Sequence, residues 1–138
     1  MANWLMKSEP ETWSWQSQVK RGAAGEPWDG VRNHQANNFM KAMAAGDRAF
    51  FYHSGEERRI VGIVEIAKLW RPDPKDATAK FGMVQVRAVM PLPQPVTLAA
   101  IKAEAKLADL LLVRQSRLSV LPVDAAAWAL ICRMGGLK

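Results

Sequence analysis

The sequence has little of the chemistry that builds disulfides, metal centres or membrane anchors. Its 138 residues include one cysteine, Cys132, and two histidines, so an internal disulfide and a cysteine-rich zinc site are excluded. No apolar run reaches the roughly 18 residues that a transmembrane helix needs. The first residues also lack the basic and apolar segments of a secretory signal. We therefore expect a cytoplasmic protein with no membrane partner, no metal and no cofactor.

Motifs of the common enzyme classes are missing as well. The sequence contains no Gly-Lys-Ser/Thr phosphate loop, no nucleophile elbow and no His-Glu-x-x-His. Serines and histidines are present, but nothing in their spacing pairs a nucleophile with a base. Glu9 and Glu11 are explained more simply as acids near a helix N-terminus. The sequence therefore predicts that the protein is not an enzyme, although catalytic groups can also assemble across a sequence.

What the sequence does have is a basic balance and many tryptophans. Lysine and arginine number 19 against 13 aspartates and glutamates, a formal net charge of +6. Such an excess suits an anionic partner but carries no information about the fold. Six tryptophans in so short a chain indicate an interface or a binding cavity. The length is typical of a single domain, which we expect to span residues 1–138 as a monomer.

The pattern of elements predicts an α+β fold. Apolar or alternating segments predict strands over residues 4–7, 49–53, 59–69 and 83–90. Capping residues in front of apolar faces predict helices after Ser14, Asn33, Thr97 and Asp124. Strictly alternating strand–helix units are absent. We therefore expect a curved, mostly antiparallel sheet or small barrel flanked by helices.

Several boundaries are less directly marked. We expect the fourth strand to be ended by Pro91, Pro93 and Pro95, and residues 21–27 to form a loop. The helix after Asn33 is expected to run from residue 34 to 44. The pattern leaves residues 110–113 and 117–120 open between helix and strand.

Four segments place hydrogen-bonding side chains beside apolar ones. They are residues 7–10 (KSEP), 28–33 (WDGVRN), 52–54 (YHS) and 114–119 (RQSRLS). A pocket for a flat heterocycle needs this mixture, because an aromatic face stacks on the ring, polar groups read its edge and a cation holds a phosphate. Each segment also has a simpler explanation: Trp28 in the core, Asn33 as a helix cap, Tyr52 or His53 facing the core, and Arg114 and Arg117 on a solvated face.

In this order the four segments resemble the EVE domain family of the PUA-like superfamily, over essentially the whole chain. Gly62-Ile63 and Pro72-Asp73 stand between them in the expected order. The resemblance implies a PUA-like pseudo-barrel. It also implies a non-catalytic module whose aromatic-lined polar pocket takes a modified base, 5-methylcytosine or an oxidised form. The implied partner is nucleic acid that carries such bases, DNA rather than RNA.

The resemblance assigns residues of this chain to the pocket. Trp28 would form a stacking wall. The groups that read the base edge would be Ser8, Asn33 and Ser54. Contacts to phosphate, or control of the pocket's shape, would come from Lys7, Arg32 and Arg117. The complete implied set is Lys7, Ser8, Trp28, Val31, Arg32, Asn33, Tyr52, His53, Ser54, Arg117, Leu118 and Ser119.

The chain departs from the family pattern near the WDGVRN motif. His34 stands where the family usually has tyrosine, and Asn37 stands where it usually has arginine, so one aromatic ring and one cation are missing. Three other functions stay open. They are an RNA-binding PUA-like protein that acts on tRNA or rRNA, a nucleotide-binding enzyme with His53 as its base, and a small-molecule sensor.

Overall fold

The fold is organised by one six-stranded sheet. In the computed structural model, which describes residues 1–137, the strands are β1 (Asn3–Ser8), β2 (Glu26–Trp28), β3 (Arg48–His53), β4 (Arg59–Pro72), β5 (Gly82–Thr97) and β6 (Val120–Val123). Their order in the sheet is β2–β5–β4–β3–β1–β6. β1 and β3 run parallel, and the other neighbours pair antiparallel. The predicted α+β fold with a mostly antiparallel sheet is confirmed.

In residues 1–137, five α-helices connect or flank the strands. They are α1 (Trp15–Lys20), α2 (His34–Ala42), α3 (Leu98–Ala103), α4 (Leu111–Arg114) and α5 (Ala125–Met134). Each predicted cap accepts a backbone N–H three residues ahead at 2.8–3.1 Å, which confirms Ser14, Asn33, Thr97 and Asp124. Within residues 1–137, no helix is long and apolar enough to cross a membrane.

The fifth strand is longer than predicted, because its prolines do not end it. We expected Pro91, Pro93 and Pro95 to stop the strand, whereas β5 continues to Thr97. β2 pairs only with residues 84–86 of β5. Beyond these residues β5 forms its hydrogen bonds with β4, and register shifts interrupt that pairing. Proline is tolerated at such edges and bulges, since its missing N–H removes no bond to a second neighbour.

Residues 21–27 also differ from the prediction. Instead of a loop they form a 3₁₀ turn (Gly22–Ala24) and then enter β2. β2 exists because it pairs with β5, a tertiary contact that no local pattern in the segment reveals. Gly25 has φ 71°, and a Cβ there would lie 2.4 Å from the Val86 carbonyl oxygen, so the turn requires glycine.

The remaining boundaries are settled by the structure. α2 ends at Ala42 instead of Ala44. Of the two undecided segments, residues 110–113 lie largely in α4, and residues 117–120 form a bend that leads into β6.

The central strand β3 is packed on both faces. Phe50 stacks on Trp128 of α5, with ring centroids 3.9 Å apart. On the opposite face Phe51 meets the edges of Trp15 and Trp28 at 5.4 and 5.5 Å. Aromatic pairs in these geometries stabilise beyond the area they bury. Phe51 therefore fixes the ring of Trp28, the residue that the resemblance placed in a pocket wall.

A side chain at Gly62 is expected to destabilise this packing. A Cβ at Gly62 would lie 2.6 Å from the ring of Trp15, so Gly62→Ala should lower the free energy of unfolding by about 1–3 kcal/mol, the usual cost of overpacking a core. Urea denaturation measures this loss. The same substitution in a Trp15→Leu background is the control, because removal of the ring removes the clash. An equal loss in both backgrounds would contradict the explanation.

Candidate functional site

A cleft is lined by the last residues of β1 and by the residues of β2. Its volume is about 270 Å³, and we call it the tryptophan cleft. β1 contributes its last residues, the turn after β1 and the end of β2 contribute a tryptophan each, and the loop between β4 and β5 contributes a lysine. The lining residues are Lys7, Ser8, Thr12, Trp13, Glu26, Pro27, Trp28, Asp29 and Lys75.

The wall formed by Trp13 is held by a network of hydrogen bonds. The Ser8 hydroxyl donates to the carbonyl of Trp13 at 2.6 Å, and the backbone N–H of Trp13 donates to the Glu9 carbonyl at 2.9 Å. The indole Nε1 donates to Oε1 of the buried Gln18 at 2.9 Å, and Nε2 of Gln18 donates to the Val86 carbonyl at 3.0 Å. The ring is therefore oriented before any ligand arrives.

The WDGVRN segment is anchored by Asp73, whose side chain is fully buried. Its carboxylate accepts hydrogen bonds from the backbone N–H groups of Gly30 and Lys75 and from the Arg32 guanidinium, at 2.8–3.0 Å. Burial alone would raise the pKa of Asp73, but these donors outweigh it and hold the pKa below its usual value. Asp73 thus ties two loops of the cleft together, and Arg32 acts by positioning them.

A second, larger cavity lies on the other side of Lys7. Its volume is about 490 Å³, and four of its lining residues are cations: Lys7, Arg58, Lys102 and Arg117. We call it the basic cavity. The predicted residues Tyr52, Ser54 and Ser119 line it as well, together with the carboxylate of Glu9. Its charge suits an anionic group.

Lys7 lies between the two cavities and lines both. Its Nζ donates to the Ser116 carbonyl at 2.9 Å and lies 5.6 Å from the centre of the Tyr52 ring. Its backbone N–H donates to the Ser119 carbonyl at 2.9 Å. Burial lowers the pKa of Lys7, and the hydrogen bond to the Ser116 carbonyl positions its ammonium group.

Other implied residues lie behind the cavities or beside them. Val31 and Leu118 are buried in the core. Asn33 uses its side-chain oxygen to cap α2, and with Arg117 and Leu118 it lines a shallow depression of about 320 Å³. The structure therefore brings Lys7, Ser8 and Trp28 together in one place, and places Lys7, Tyr52, Ser54, Arg117 and Ser119 together in another.

His53 is a buried histidine with partners at both ring nitrogens. Nε2 accepts the backbone N–H of Trp15 at 3.0 Å, so Nδ1 carries the proton and contacts Oε1 of Glu57 at 2.9 Å. Among the described cavities, His53 lines neither the tryptophan cleft nor the basic cavity. It joins the start of α1 to the loop between β3 and β4.

The position at which the resemblance implies an arginine is buried. Asn37 is 2% exposed, accepts hydrogen bonds from Trp70 Nε1 and the Gly82 N–H, and donates to the Lys80 carbonyl. His34 lies with its ring centroid 4.8 Å from that of Phe81. Asn37 therefore organises the loop between β4 and β5 from inside the protein.

Sequence reasoning missed several residues of the two cavities. Trp13, Glu26, Asp29 and Lys75 line the tryptophan cleft, and Arg58 and Lys102 line the basic cavity. Asp29 stands inside the WDGVRN motif and Trp13 follows the KSEP motif closely, so proximity to a motif was the available signal. Within residues 1–137, no group of three or more His, Cys, Asp and Glu side chains is placed to hold a metal ion.

Comparison with known proteins is consistent with this geometry. Human thymocyte nuclear protein 1 is 33% identical over 159 aligned positions, which cover 88% of this chain and 68% of that protein. The solved structure of a Rhodopseudomonas palustris protein is 59% identical, with a TM-score of 0.93 and coverage of 99% of this chain and 94% of that one. Human THYN1 in complex with DNA containing 5-methylcytosine is 29% identical, with a TM-score of 0.92 and coverage of 100% and 99%.

A family model completes the comparison and supports the resemblance seen in the four sequence segments. The model described as EVE domain matches residues 2–134. The TM-scores of 0.93 and 0.92 show that these structures share the fold of this chain, which agrees with the predicted PUA-like fold. In the part of the chain that the structure describes, the six-stranded sheet is open, with β2 and β6 at its edges, and does not close into the small barrel that was the alternative expectation. The chain belongs to the EVE domain family.

Proposed function

We propose that the tryptophan cleft receives a modified cytosine base from a nucleic-acid strand. The observation that carries the proposal is the pair of tryptophans, Trp13 and Trp28, beside the hydroxyl groups of Ser8 and Thr12. Pockets for drug-sized ligands measure about 300–1,000 Å³, so a cleft of about 270 Å³ suits one base. The complex of human THYN1 with DNA containing 5-methylcytosine supports 5-methylcytosine as the first candidate.

The basic cavity is proposed to contact the phosphates next to that base. It shares Lys7 with the cleft, so a strand whose base enters the cleft brings its backbone close to Arg58, Lys102 and Arg117. Phosphate contacts position a strand and add affinity, whereas contacts to the base provide selectivity. The two cavities thus divide the recognition of a nucleotide between them.

The arrangement of His53 supports a binding role over a catalytic one. A general base needs a free nitrogen within reach of the proton that it removes, and both ring nitrogens of His53 have partners inside the protein. We therefore propose a non-catalytic module. Turnover of a nucleotide by the wild-type protein, lost in a His53→Ala variant that still folds, would contradict this.

The base must leave its stack to enter the cleft. Flipping a base out of a duplex costs a few kcal/mol, so single-stranded oligonucleotides should bind at least as well as duplexes. The test is fluorescence anisotropy with matched oligonucleotides that carry one cytosine or one 5-methylcytosine, at two salt concentrations. A preference for 5-methylcytosine that persists at the higher salt supports the proposal. Equal binding of both, fading with salt, would contradict it, and matched RNA then tests the alternative partner.

The cations of the basic cavity should raise the affinity for oligonucleotides of every sequence by the same factor. The double variant Arg58→Gln/Lys102→Gln is expected to weaken modified and unmodified single strands alike and to reduce the slope of log K against log salt by about 1.4, since each single-strand phosphate contact contributes about 0.7. The control is Lys41→Gln/Lys68→Gln, which removes the same charge from exposed positions outside both cavities. Equal slopes in the two variants would contradict a role for the cavity.

A further inference from the structure

The tryptophan cleft contains two carboxylates, which a groove for phosphate alone would avoid. Glu26 pairs with Arg21 Nε at 3.0 Å, and this Nε also donates to the Gly25 carbonyl at 3.0 Å. Asp29 pairs instead with Lys75 Nζ at 2.9 Å, and the Lys75 side chain is 70% exposed. An exposed ion pair of this kind stabilises little. The Arg21–Glu26 pair is also partly exposed, but Asp29 is the more exposed carboxylate, at 38% against 31% for Glu26, so a ligand can engage Asp29 more easily.

We propose that Asp29 selects pyrimidines that carry an exocyclic amino group. This inference rests on the proposed function of the cleft. A carboxylate accepts a hydrogen bond from N4 of cytosine. Thymine and uracil present the O4 oxygen at that position, so two acceptors would face each other and the carboxylate would lose solvent without gaining a donor. Asp29 then reads the 4-position of the ring, and the tryptophans hold its face.

The backbone around Asp29 is suited to this task because it is fixed on both sides. Trp28 precedes it, 7% exposed and packed edge-on against Phe51. Gly30 follows it, and its N–H is held by the buried carboxylate of Asp73 at 2.9 Å. A recognition group on rigid backbone is already placed when the base arrives, so little order has to be gained on binding. Glu26 lies in β2, and its carboxylate keeps Arg21 as its partner.

One consequence concerns chemically related bases. Methylation and oxidation at the 5-position leave the N4 amino group of cytosine in place, so the carboxylate accepts all of these forms. Deamination of 5-methylcytosine gives thymine, which differs at the 4-position and at the adjacent N3. Asp29 would therefore make the cleft distinguish 5-methylcytosine from its own deamination product.

The test compares two single strands that differ only by 5-methylcytosine or thymine at one position. Fluorescence anisotropy should show that the wild-type protein binds the 5-methylcytosine strand about tenfold more tightly, a discrimination typical of one base-edge contact. Asp29→Asn should bring the two affinities within about twofold of each other. Asp109→Asn, the matched change at an exposed position outside both cavities, should keep the wild-type ratio, and Glu26→Gln tests whether the other carboxylate of the cleft is the reader. Thermal melts should establish that all three variants are folded.

The outcomes separate the inference from the function on which it rests. A wild-type protein that prefers 5-methylcytosine to cytosine, but whose ratio over thymine survives in Asp29→Asn, would overturn the role of Asp29 alone. Loss of the ratio in Glu26→Gln instead of Asp29→Asn would also overturn it, because the other carboxylate would be the reader. A wild-type protein that binds the 5-methylcytosine, cytosine and thymine strands with equal affinity would overturn both proposals.

Discussion

Replacing Trp13 with alanine is expected to weaken binding of a 5-methylcytosine oligonucleotide by roughly 5- to 150-fold, the range that corresponds to the stacking of one base on an aromatic ring. Trp13 lines the tryptophan cleft, and its indole is oriented by Gln18. Trp28 offers a less direct test, because it is 7% exposed and packs on Phe51, so its removal perturbs the core. Titration at a single salt concentration measures the effect.

Two further variants separate stacking from stability. Trp13→Phe keeps an aromatic face and loses the hydrogen bond to Gln18, so it should retain most of the affinity. Trp128→Ala removes a tryptophan that stacks on Phe50 at the opposite face of β3. It should lower thermal stability and leave the affinity of the folded protein unchanged. Equal binding by Trp13→Ala and wild type would show that the base does not stack there.

The largest effect on stability is expected from Asp73→Ala. The substitution leaves the N–H groups of Gly30 and Lys75 and the guanidinium of Arg32 without their acceptor. Hydrogen bonds to a charged group are worth about 1.5–3 kcal/mol each, and part of the loss is recovered when the loops open to water. We expect the free energy of unfolding to fall by about 3 kcal/mol, measured by urea denaturation. Binding should weaken too, because the loop that carries Asp29 is released.

The pH dependence of Asp73 gives an independent check. Its pKa is lower in the folded protein than in the unfolded chain, so its contribution is complete above the unfolded value of about 3.9 and is lost as pH falls through the folded value. The matched variant Asp73→Asn should therefore be less stable than wild type at pH 7, and the difference should shrink below about pH 4. A difference that stays constant down to pH 2 would contradict the assignment.

Elements that depend on neighbours in the sequence could be predicted well. Ser14 and Asn33 cap helices because a side-chain oxygen reaches an N–H three residues away, a relation contained in the sequence itself. β2 could not be predicted, since three residues become a strand only by pairing with β5. The continuation of β5 through its prolines likewise depends on which of its edges has a neighbour.

The part of the candidate site that is lined by residues of the sequence motifs could be predicted. Lys7, Ser8 and Trp28 come from two motifs and meet in the tryptophan cleft. Trp13 follows the KSEP motif closely, but its place in the cleft wall is set by Ser8 in β1 and Gln18 in α1, which no local pattern contains. The motifs also could not reveal that their residues divide between two cavities. That division depends on Lys7 standing between them, which only the assembled sheet determines.

Lys7 is hydrogen-bonded to the carbonyls of Ser116 and Ser119, and these two bonds determine when the protein becomes able to bind a nucleic-acid strand. Its ammonium group bonds to a carbonyl 109 positions further along the chain, and β1 receives its second neighbour only when β6 joins the sheet. Proteins are synthesised from the N-terminus, so Lys7 and Ser8 are synthesised long before the residues that complete the binding site. Until then β1 exposes an unpaired edge. A nascent chain should therefore be unable to capture a strand before residues 116–123 have been synthesised, and recognition should arise together with the pairing of β6 with β1.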